Sequence, residues 1–166
     1  MYVVLHQDGS RWLRQATPLC VDTVQRMFEW IESSDPRVQK RLYPDTFRDP
    51  AEEAAWRKLM QTELEHLVLS RREIIQRDLA KLRRDGPGLY RFPIGKGHDK
   101  AWLSALNAAR LALFALHDLR PEHMEAEPED LDGDDERQLA LVRIHIMGFL
   151  QELLLHGGAG EGVGDA

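Results

Sequence analysis

The sequence has very little cysteine and few aromatic residues. Cys20 is the only cysteine among 166 residues, so no internal disulfide can form. This excludes a disulfide-stapled secreted scaffold and fits a reducing cytoplasm. The opening MYVVLHQDGS lacks a basic segment followed by a long apolar run, so we expect no signal peptide. No apolar run of about 18 residues occurs, so we expect a cytoplasmic protein without a membrane span.

Positive charge is also in short supply. The chain has 22 Lys and Arg against 28 Asp and Glu, a net charge of −6. Such a chain is repelled by nucleic acid and by anionic membranes unless its charges are segregated. They are segregated, because residues 122–136 hold nine acidic and no Lys or Arg side chains. A basic cluster comprises Arg71, Arg72, Arg77, Lys81, Arg83 and Arg84.

The basic cluster has three interpretations. It could be a solvated helix face, or the acidic residues 122–136 could shield it within the chain or across a dimer. It could also bind nucleic acid, which the acidic net charge and the lack of interleaved aromatic residues disfavour. The candidate patch for nucleic acid or an acidic partner is Arg72, Arg77, Lys81, Arg83 and Arg84.

Turn and capping signals predict the elements of the first half. Asp8-Gly9 predicts a β-hairpin that joins residues 2–5 to residues 11–13. Thr17-Pro18 and Asp49-Pro50 each predict the start of a helix. The second helix is expected to run about 35 residues, to Arg84. The alternative is two helices that meet at residues 70–72.

Two later helices are predicted, one that Asp99 caps and that runs to about Leu119, and one from about residue 134 to His156. Both are apolar on more than one face, which is typical of a central helix or a subunit interface. Two such helices in a small domain leave apolar surface uncovered, so we expect a homodimer.

The predicted fold is mainly α: a helical bundle with one long helix and a small N-terminal β-hairpin. The long helix, packed against the two apolar helices, is expected to form the core. Residues 1–156 are expected to form a single domain, followed by a flexible glycine-rich tail over residues 157–166.

A polar stripe interrupts the apolar sequence WLSALNAARLAL, residues 102–113. Its members are Ser104, Asn107 and Arg110, about one helical turn apart. Asn is a poor helix former, and the Arg fork suits a carboxylate, so we expect a polar tie to Asp45, or else to Glu63 or Glu65. The alternatives are a solvent-exposed face and a site that binds a small anion or a partner.

Residues that could support catalysis or bind a metal do not form a set. Cys20 falls on an apolar helix face, where a buried inert thiol is expected. Glu63-x-x-His66 has no second copy, as a di-iron site would require. Gly95-Lys96-Gly97 lacks the residues of a phosphate-binding P-loop. We therefore predict no catalytic residue, no cofactor and no metal.

Three stretches resemble the bacterial family of unknown function DUF2017, the third being the closing helix over residues 139–155, and the N-terminal hairpin is compatible with it. Residues 42–64 (LYPDTFRDPAEEAAWRKLMQTEL) match an extended approach to a long helix, and residues 102–119 match the family's Trp-Leu-x-Ala-Leu-Asn-x-x-Arg pattern. The resemblance spans roughly residues 40–156. It implies a mostly helical cytoplasmic protein without an agreed activity, and some family members carry a transcriptional-regulator label.

Together these observations favour a non-enzymatic interaction or regulatory protein that acts as a homodimer with an unidentified protein partner. The first alternative is a DNA-associated transcriptional regulator that uses the basic end of the long helix. The second is a small-anion-binding protein that uses Arg110.

Overall fold

The computed structural model describes residues 1–124 and 135–156, so the predicted tail at 157–166 and most of the acidic residues 122–136 lie outside the described residues. The described chain is mainly α-helical, with a small sheet that contains the N-terminal hairpin, so the predicted fold class is confirmed. The elements are β1 (Tyr2–Leu5), β2 (Arg11–Ala16), α1 (Pro18–Ile31), α2 (Pro36–Leu42), α3 (Pro50–Leu79), β3 (Arg83–Arg84), β4 (Tyr90–Ile94), α4 (Asp99–Leu116), a short 3₁₀ helix (Pro121–Met124) and α5 (Asp135–His156).

The hairpin forms one side of a four-stranded antiparallel sheet with the order β1-β2-β4-β3. Gly9 occupies the turn with φ 80°, a conformation that glycine adopts without a steric cost. The pairing of β2 with β4 shifts register between Leu13 and Ala16, and Gln15 at that shift has φ 57°. A carboxylate oxygen of Asp85 accepts the Gln15 amide, which fixes the irregular segment.

The capping signals place both predicted helix starts correctly. The Thr17 hydroxyl accepts the amide of Cys20 at the start of α1, and Asp49 accepts the amides of Ala51 and Glu52 at the start of α3. Sequence analysis did not predict α2. Asp35 caps this seven-residue helix, which is too short for a convincing apolar period.

Helix α3 is shorter than predicted. It is continuous from Pro50 to Leu79, so the alternative of two helices meeting at residues 70–72 is wrong. The chain leaves the helix through tight turns at Lys81 and Leu82, and Arg83 and Arg84 pair with β4 as a strand. Pairing with the next strand β4, which is itself held by β2, determines where the helix ends, and the helical periodicity of the sequence does not indicate it.

The core is built around α4, and the prediction that the long helix forms the core is wrong. Helix α4 packs against α1, α2, α3 and α5, whereas α3 buries only Glu53, Ile75 and Asp78. Alanine residues recur along the buried side of α4 and let neighbouring helices approach closely. Charged residues surround much of α3, which keeps it at the surface. One hydrophobic cluster extends from Leu13 to Leu154.

Helix α5 is long and apolar enough to cross a membrane by length and composition alone. An 18-residue window reaches a mean hydropathy of 1.3, and 39% of that window is buried inside the protein. Its side chains Arg143 and Gln151 are hydrogen-bonded to α1 and α4. We interpret α5 as a core helix of the folded domain.

Candidate interaction surfaces

Arg110 ties α4 to α5. Its Nη1 donates to Gln151 Oε1 at 2.6 Å, and Gln151 Nε2 donates to the Leu103 carbonyl at 3.2 Å. The guanidinium lies beside Gly148, with Cζ 3.6 Å from the position that a Cβ would take there. Arg110 Nε is buried and has no hydrogen-bond partner in residues 1–124 and 135–156. The polar tie is present, but its partner is an amide on α5.

The predicted carboxylate partners of Arg110 are wrong. Asp45 is exposed and pairs with Arg57 at 2.8 Å on the N-terminal part of α3. Asn107 is exposed, and its side chain makes no hydrogen bond to the described residues. The polar stripe is therefore divided, because Arg110 turns toward α5 and Asn107 faces solvent. Periodicity places both residues on one side of α4 but does not identify the neighbouring helix.

A buried carboxylate that sequence analysis did not single out fixes the approach to α3. Glu53 is 8% exposed, and it accepts the amides of Phe47 at 2.9 Å and Thr46 at 2.8 Å. Arg57 Nε lies 2.6 Å from the same carboxylate. The Phe47 amide is the main cause of a lowered Glu53 pKa, because hydrogen bonds to a carboxylate favour its charged form.

A second buried carboxylate joins the end of α3 to α4. Asp78 is 1% exposed and accepts Trp102 Nε1 at 2.9 Å. His98 Nδ1 lies 2.9 Å from the same oxygen, and the Gly95 amide donates to it at 3.3 Å. The positions of Asp78 and His98, twenty residues apart on different elements, gave no sequence signal of this contact.

The loop before α4, which contains Gly95-Lys96-Gly97, is already bonded to the Asp78 carboxylate. The Gly95 amide, which a phosphate would need, already donates to Asp78. Asp99 was predicted to cap α4, but His98 holds the capping position and makes no side-chain cap bond. Asp99 lies in the first turn, where it pairs with Arg11 at 3.3 Å.

The predicted basic patch is divided between two elements. Arg72 on α3 pairs with Glu32 at 2.9 Å, whereas Arg77 and Lys81 are exposed near the end of that helix. Arg83 and Arg84 are exposed on β3. The five residues therefore do not form one helix face, as duplex binding by the helix end requires.

The sheet brings three arginines onto one face, and only Arg83 of these belongs to the predicted patch. We call this the outer sheet face and define it by Tyr2, Trp12, Arg14, Arg83 and Arg91. Because side chains alternate between the two faces of a strand, these residues lie on the face that points away from the buried Leu13 and Phe92.

Of the three arginines on the outer sheet face, only Arg14 forms an ion pair within the described residues. Arg14 makes a two-pronged pair with Asp85, and this guanidinium is the main cause of the lowered Asp85 pKa. Arg91 lies over the Trp12 ring at 5.6 Å. Sequence analysis could not detect this face, since it depends on pairing across more than seventy residues.

The candidate reactive side chains are separated or buried. Cys20 is 1% exposed, and burial raises the pKa of its thiol to about 12, as expected for an inert thiol. No group of three His, Cys, Asp or Glu side chains able to hold a metal ion occurs within the described residues.

An apolar stripe runs along the outer side of α5. Its members are Leu139, Val142, Ile146, Phe149 and Leu153, separated alternately by three and four residues. Leu139 and Phe149 are 40% and 44% exposed, and the other three are half-buried, with Ile146 and Leu153 also packed against the edge of the core. We call these five residues the α5 stripe. The spacing is that of a helix that pairs side by side with another helix.

Helix α3 carries further exposed apolar residues. Trp56, Leu59 and Leu69 are 37%, 71% and 50% exposed, and Phe47 stands edge-on to Trp56. Between α3, α2 and the end of α1 lies a cleft of about 560 Å³. Its apolar lining includes Ile31, Leu64, Val68 and Leu69, and its rim carries Glu32, Arg57 and Glu65.

Comparison with known proteins places the chain in one family. The profile of the domain of unknown function DUF2017 matches residues 13–157, which is most of the chain. The chain belongs to the DUF2017 family. No curated protein and no solved structure matches it significantly. The match covers the approach to α3, all of α4 and all of α5, which contain the three stretches whose sequences resemble the family.

Proposed function

We propose that the protein is a non-enzymatic interaction or regulatory protein of the bacterial cytoplasm that acts as a homodimer through the α5 stripe. The observation that carries the proposal is the alternating three- and four-residue spacing of five apolar side chains, which continues over four helical turns. A helix face of this kind pairs with a copy of itself about a two-fold axis, which makes a closed dimer.

The non-enzymatic part of the proposal is supported by what the buried polar groups do. Asp78 and Arg143 each hold two helices together through hydrogen bonds, and Glu53 holds the segment before α3 to that helix. The guanidinium of Arg143 also lies over the Trp30 ring at 5.2 Å. Because these groups make structural contacts, stabilisation of the fold is sufficient to explain why they are buried, and a catalytic role is not required.

Two variants on the same helix test the homodimer. Phe149→Glu places a charge in the centre of the α5 stripe. Leu155→Glu is the matched control, because Leu155 is 63% exposed and lies on the opposite side of α5. Light scattering after size exclusion should give a monomer for Phe149→Glu and a dimer for Leu155→Glu. Dimers of equal stability for both variants would overturn the interface, and a monomeric wild type would overturn the homodimer.

The cleft beside α3 is the surface we propose for the protein partner. Its apolar lining and mixed-charge rim are suited to an amphipathic helix, the usual occupant of such a groove. A photo-crosslinker in place of Leu69 should capture the same protein reproducibly in cells, whereas one in place of the exposed Gln25 on α1 should not. Equal capture at both positions, or none at Leu69, would contradict this assignment.

A second candidate function is association with DNA as a transcriptional regulator. Residues 1–16 and 81–100, which contain the whole sheet, carry eight Lys or Arg and three Asp, a net charge of +5 in a chain of −6. This segregation favours contact with a polyanion. Salt-dependent binding of random duplex DNA, weakened by Arg83→Gln with Arg84→Gln, would support it. No binding at low salt would exclude it.

A further inference from the structure

The outer sheet face contains a row of like charges that the fold does not neutralise. Arg83 on β3 stands directly opposite Arg91 on β4, and like charges in that position destabilise a sheet. Asp85 is the nearby carboxylate, and Arg14 occupies both of its oxygens at 2.8 and 2.9 Å. Within the described residues neither Arg83 nor Arg91 forms an ion pair of its own, although the charge of Arg91 also helps to lower the pKa of Asp85.

Arg91 also has an unsatisfied donor. Its Nε is buried without a hydrogen-bond partner in the described part of the chain, and a buried donor left unpaired is unfavourable. The guanidinium is held over the ring of Trp12, whose other close ring contact is His6 at 5.6 Å. This stacking holds the Arg91 guanidinium against the surface of the sheet, so that it does not extend into solvent.

Aromatic rings accompany these guanidinium groups. Tyr2 is directly opposite Arg14 on the edge strand and is 43% exposed, and Trp12 lies on the adjacent strand. An open sheet that alternates aromatic rings with arginines can stack bases and pair with phosphates. An acidic peptide would use the arginines but would gain little from the rings. A duplex hides the faces of its bases, so it would not use the rings either.

We propose that the outer sheet face binds single-stranded nucleic acid, with phosphates at Arg83 and Arg91 and bases stacked at Tyr2 and Trp12. The local charge of +5 attracts the strand to this end of the molecule, while the rest of the chain, at −11, repels it. The proposal does not rest on the homodimer, since none of these residues belongs to the α5 stripe.

Fluorescence anisotropy with labelled oligonucleotides of about 12 nucleotides tests the proposal, since such lengths fill a typical single-strand site. Single-stranded RNA, single-stranded DNA and the corresponding duplex are titrated at several salt concentrations. Both single strands should bind with Kd near 10⁻⁵ M at low salt, within the range of non-specific complexes, and at least one of them should bind more tightly than duplex.

Charge variants define the phosphate contacts. The double variant Arg83→Gln with Arg91→Gln should weaken single-strand binding about tenfold and reduce the salt slope by about 1.4, or 0.7 per phosphate. Arg83→Gln alone should reduce the slope by about half as much. Because Arg83 is exposed on a two-residue edge strand, this variant should fold normally. Arg48→Gln is the control for Arg83→Gln, because each variant removes one positive charge. Arg48 is exposed just before the N-terminus of α3, at the end of that helix that lies away from the sheet.

Aromatic variants separate stacking from simple charge attraction. Trp12→Leu should weaken binding about tenfold, in the usual range for one stacked base, and Trp12→Tyr should restore most of it. Thermal melting checks that each variant is folded. Three outcomes would overturn the proposal: no single-strand binding at low salt, tighter binding of duplex, or equal weakening by Arg48→Gln. Polyglutamate that competes as well as an oligonucleotide would assign the face to an acidic protein instead.

Discussion

Helices α3 and α4 differ in how apolar residues contribute to the fold. Helix α4 has 18 residues and buries seven of them, whereas α3 has 30 residues and buries three, of which two are carboxylates. Both helices contain regularly spaced apolar side chains. Small residues, which allow close packing on several sides, therefore decide which of the two helices is central. Length and apolar spacing alone do not.

The largest expected effect removes a side chain from the buried helix. Leu106→Ala in α4, where Leu106 is 0% exposed, should lower the free energy of unfolding by about 2 to 5 kcal/mol. Leu59→Ala in α3, where Leu59 is 71% exposed, should change it by less than about 0.5 kcal/mol. Urea denaturation at one fixed protein concentration measures both. Similar losses for the two variants would contradict the contrast between the helices.

A smaller effect is expected where the two helices meet. Asp78→Ala leaves the donors of Trp102 and Gly95 without an acceptor, and it should reduce the free energy of unfolding by about 3 kcal/mol. Asp45→Ala, at the other end of α3, removes an exposed ion pair and should cost less than about 1 kcal/mol. The same denaturation measurements apply, and equal effects would show that Asp78 does not join α3 to the core.

Substitution by alanine should have opposite effects on stability at two glycine positions, Gly95 before α4 and Gly148 in α5. A Cβ at Gly95 would lie 2.6 Å from the His98 ring, so Gly95→Ala should destabilise the fold by about 1 to 3 kcal/mol. A Cβ at Gly148 in α5 would lie 3.6 Å from Arg110 Cζ, which is ordinary contact. Gly148→Ala should therefore stabilise the helix by about 0.5 to 1 kcal/mol. Melting temperatures that shift in the same direction for both variants would contradict these local geometries.

Lowering the pH should reduce the stability that Glu53 provides at the start of α3. Its pKa is lowered in the folded protein, so its contribution to stability is full above its ordinary pKa and is lost as pH falls through the folded value. Glu53→Gln should therefore lower Tm at about pH 6, and the difference from the unmodified protein should shrink toward about pH 3. Thermal unfolding followed by circular dichroism tests this. A difference that is constant with pH would show that the charge of Glu53 is not involved.

Local signals predicted a large part of the fold. Asp8-Gly9, Thr17-Pro18 and Asp49-Pro50 determine a turn and two helix starts within a few residues, and all three are confirmed. The end of α3 and the course of Arg83 and Arg84 were not predictable, because pairing with β4 determines them.

The candidate site was predictable only in part, for the same reason. A guanidinium on an apolar helix indicated a polar tie, and Arg110 makes one. The identity of its partner depends on which helix packs beside α4, and α5 supplies Gln151 where a carboxylate was expected. Asp78 and His98 become neighbours only when α3 and α4 meet. Such contacts between distant segments leave no periodic pattern in the sequence.

The proposed homodimer can be tested by sedimentation equilibrium over a wide concentration range. We expect a mass twice that of the 19.1 kDa chain, with dissociation on dilution, and a monomer at every concentration for Phe149→Glu. A mass of 19.1 kDa for the unmodified protein at every concentration would contradict it.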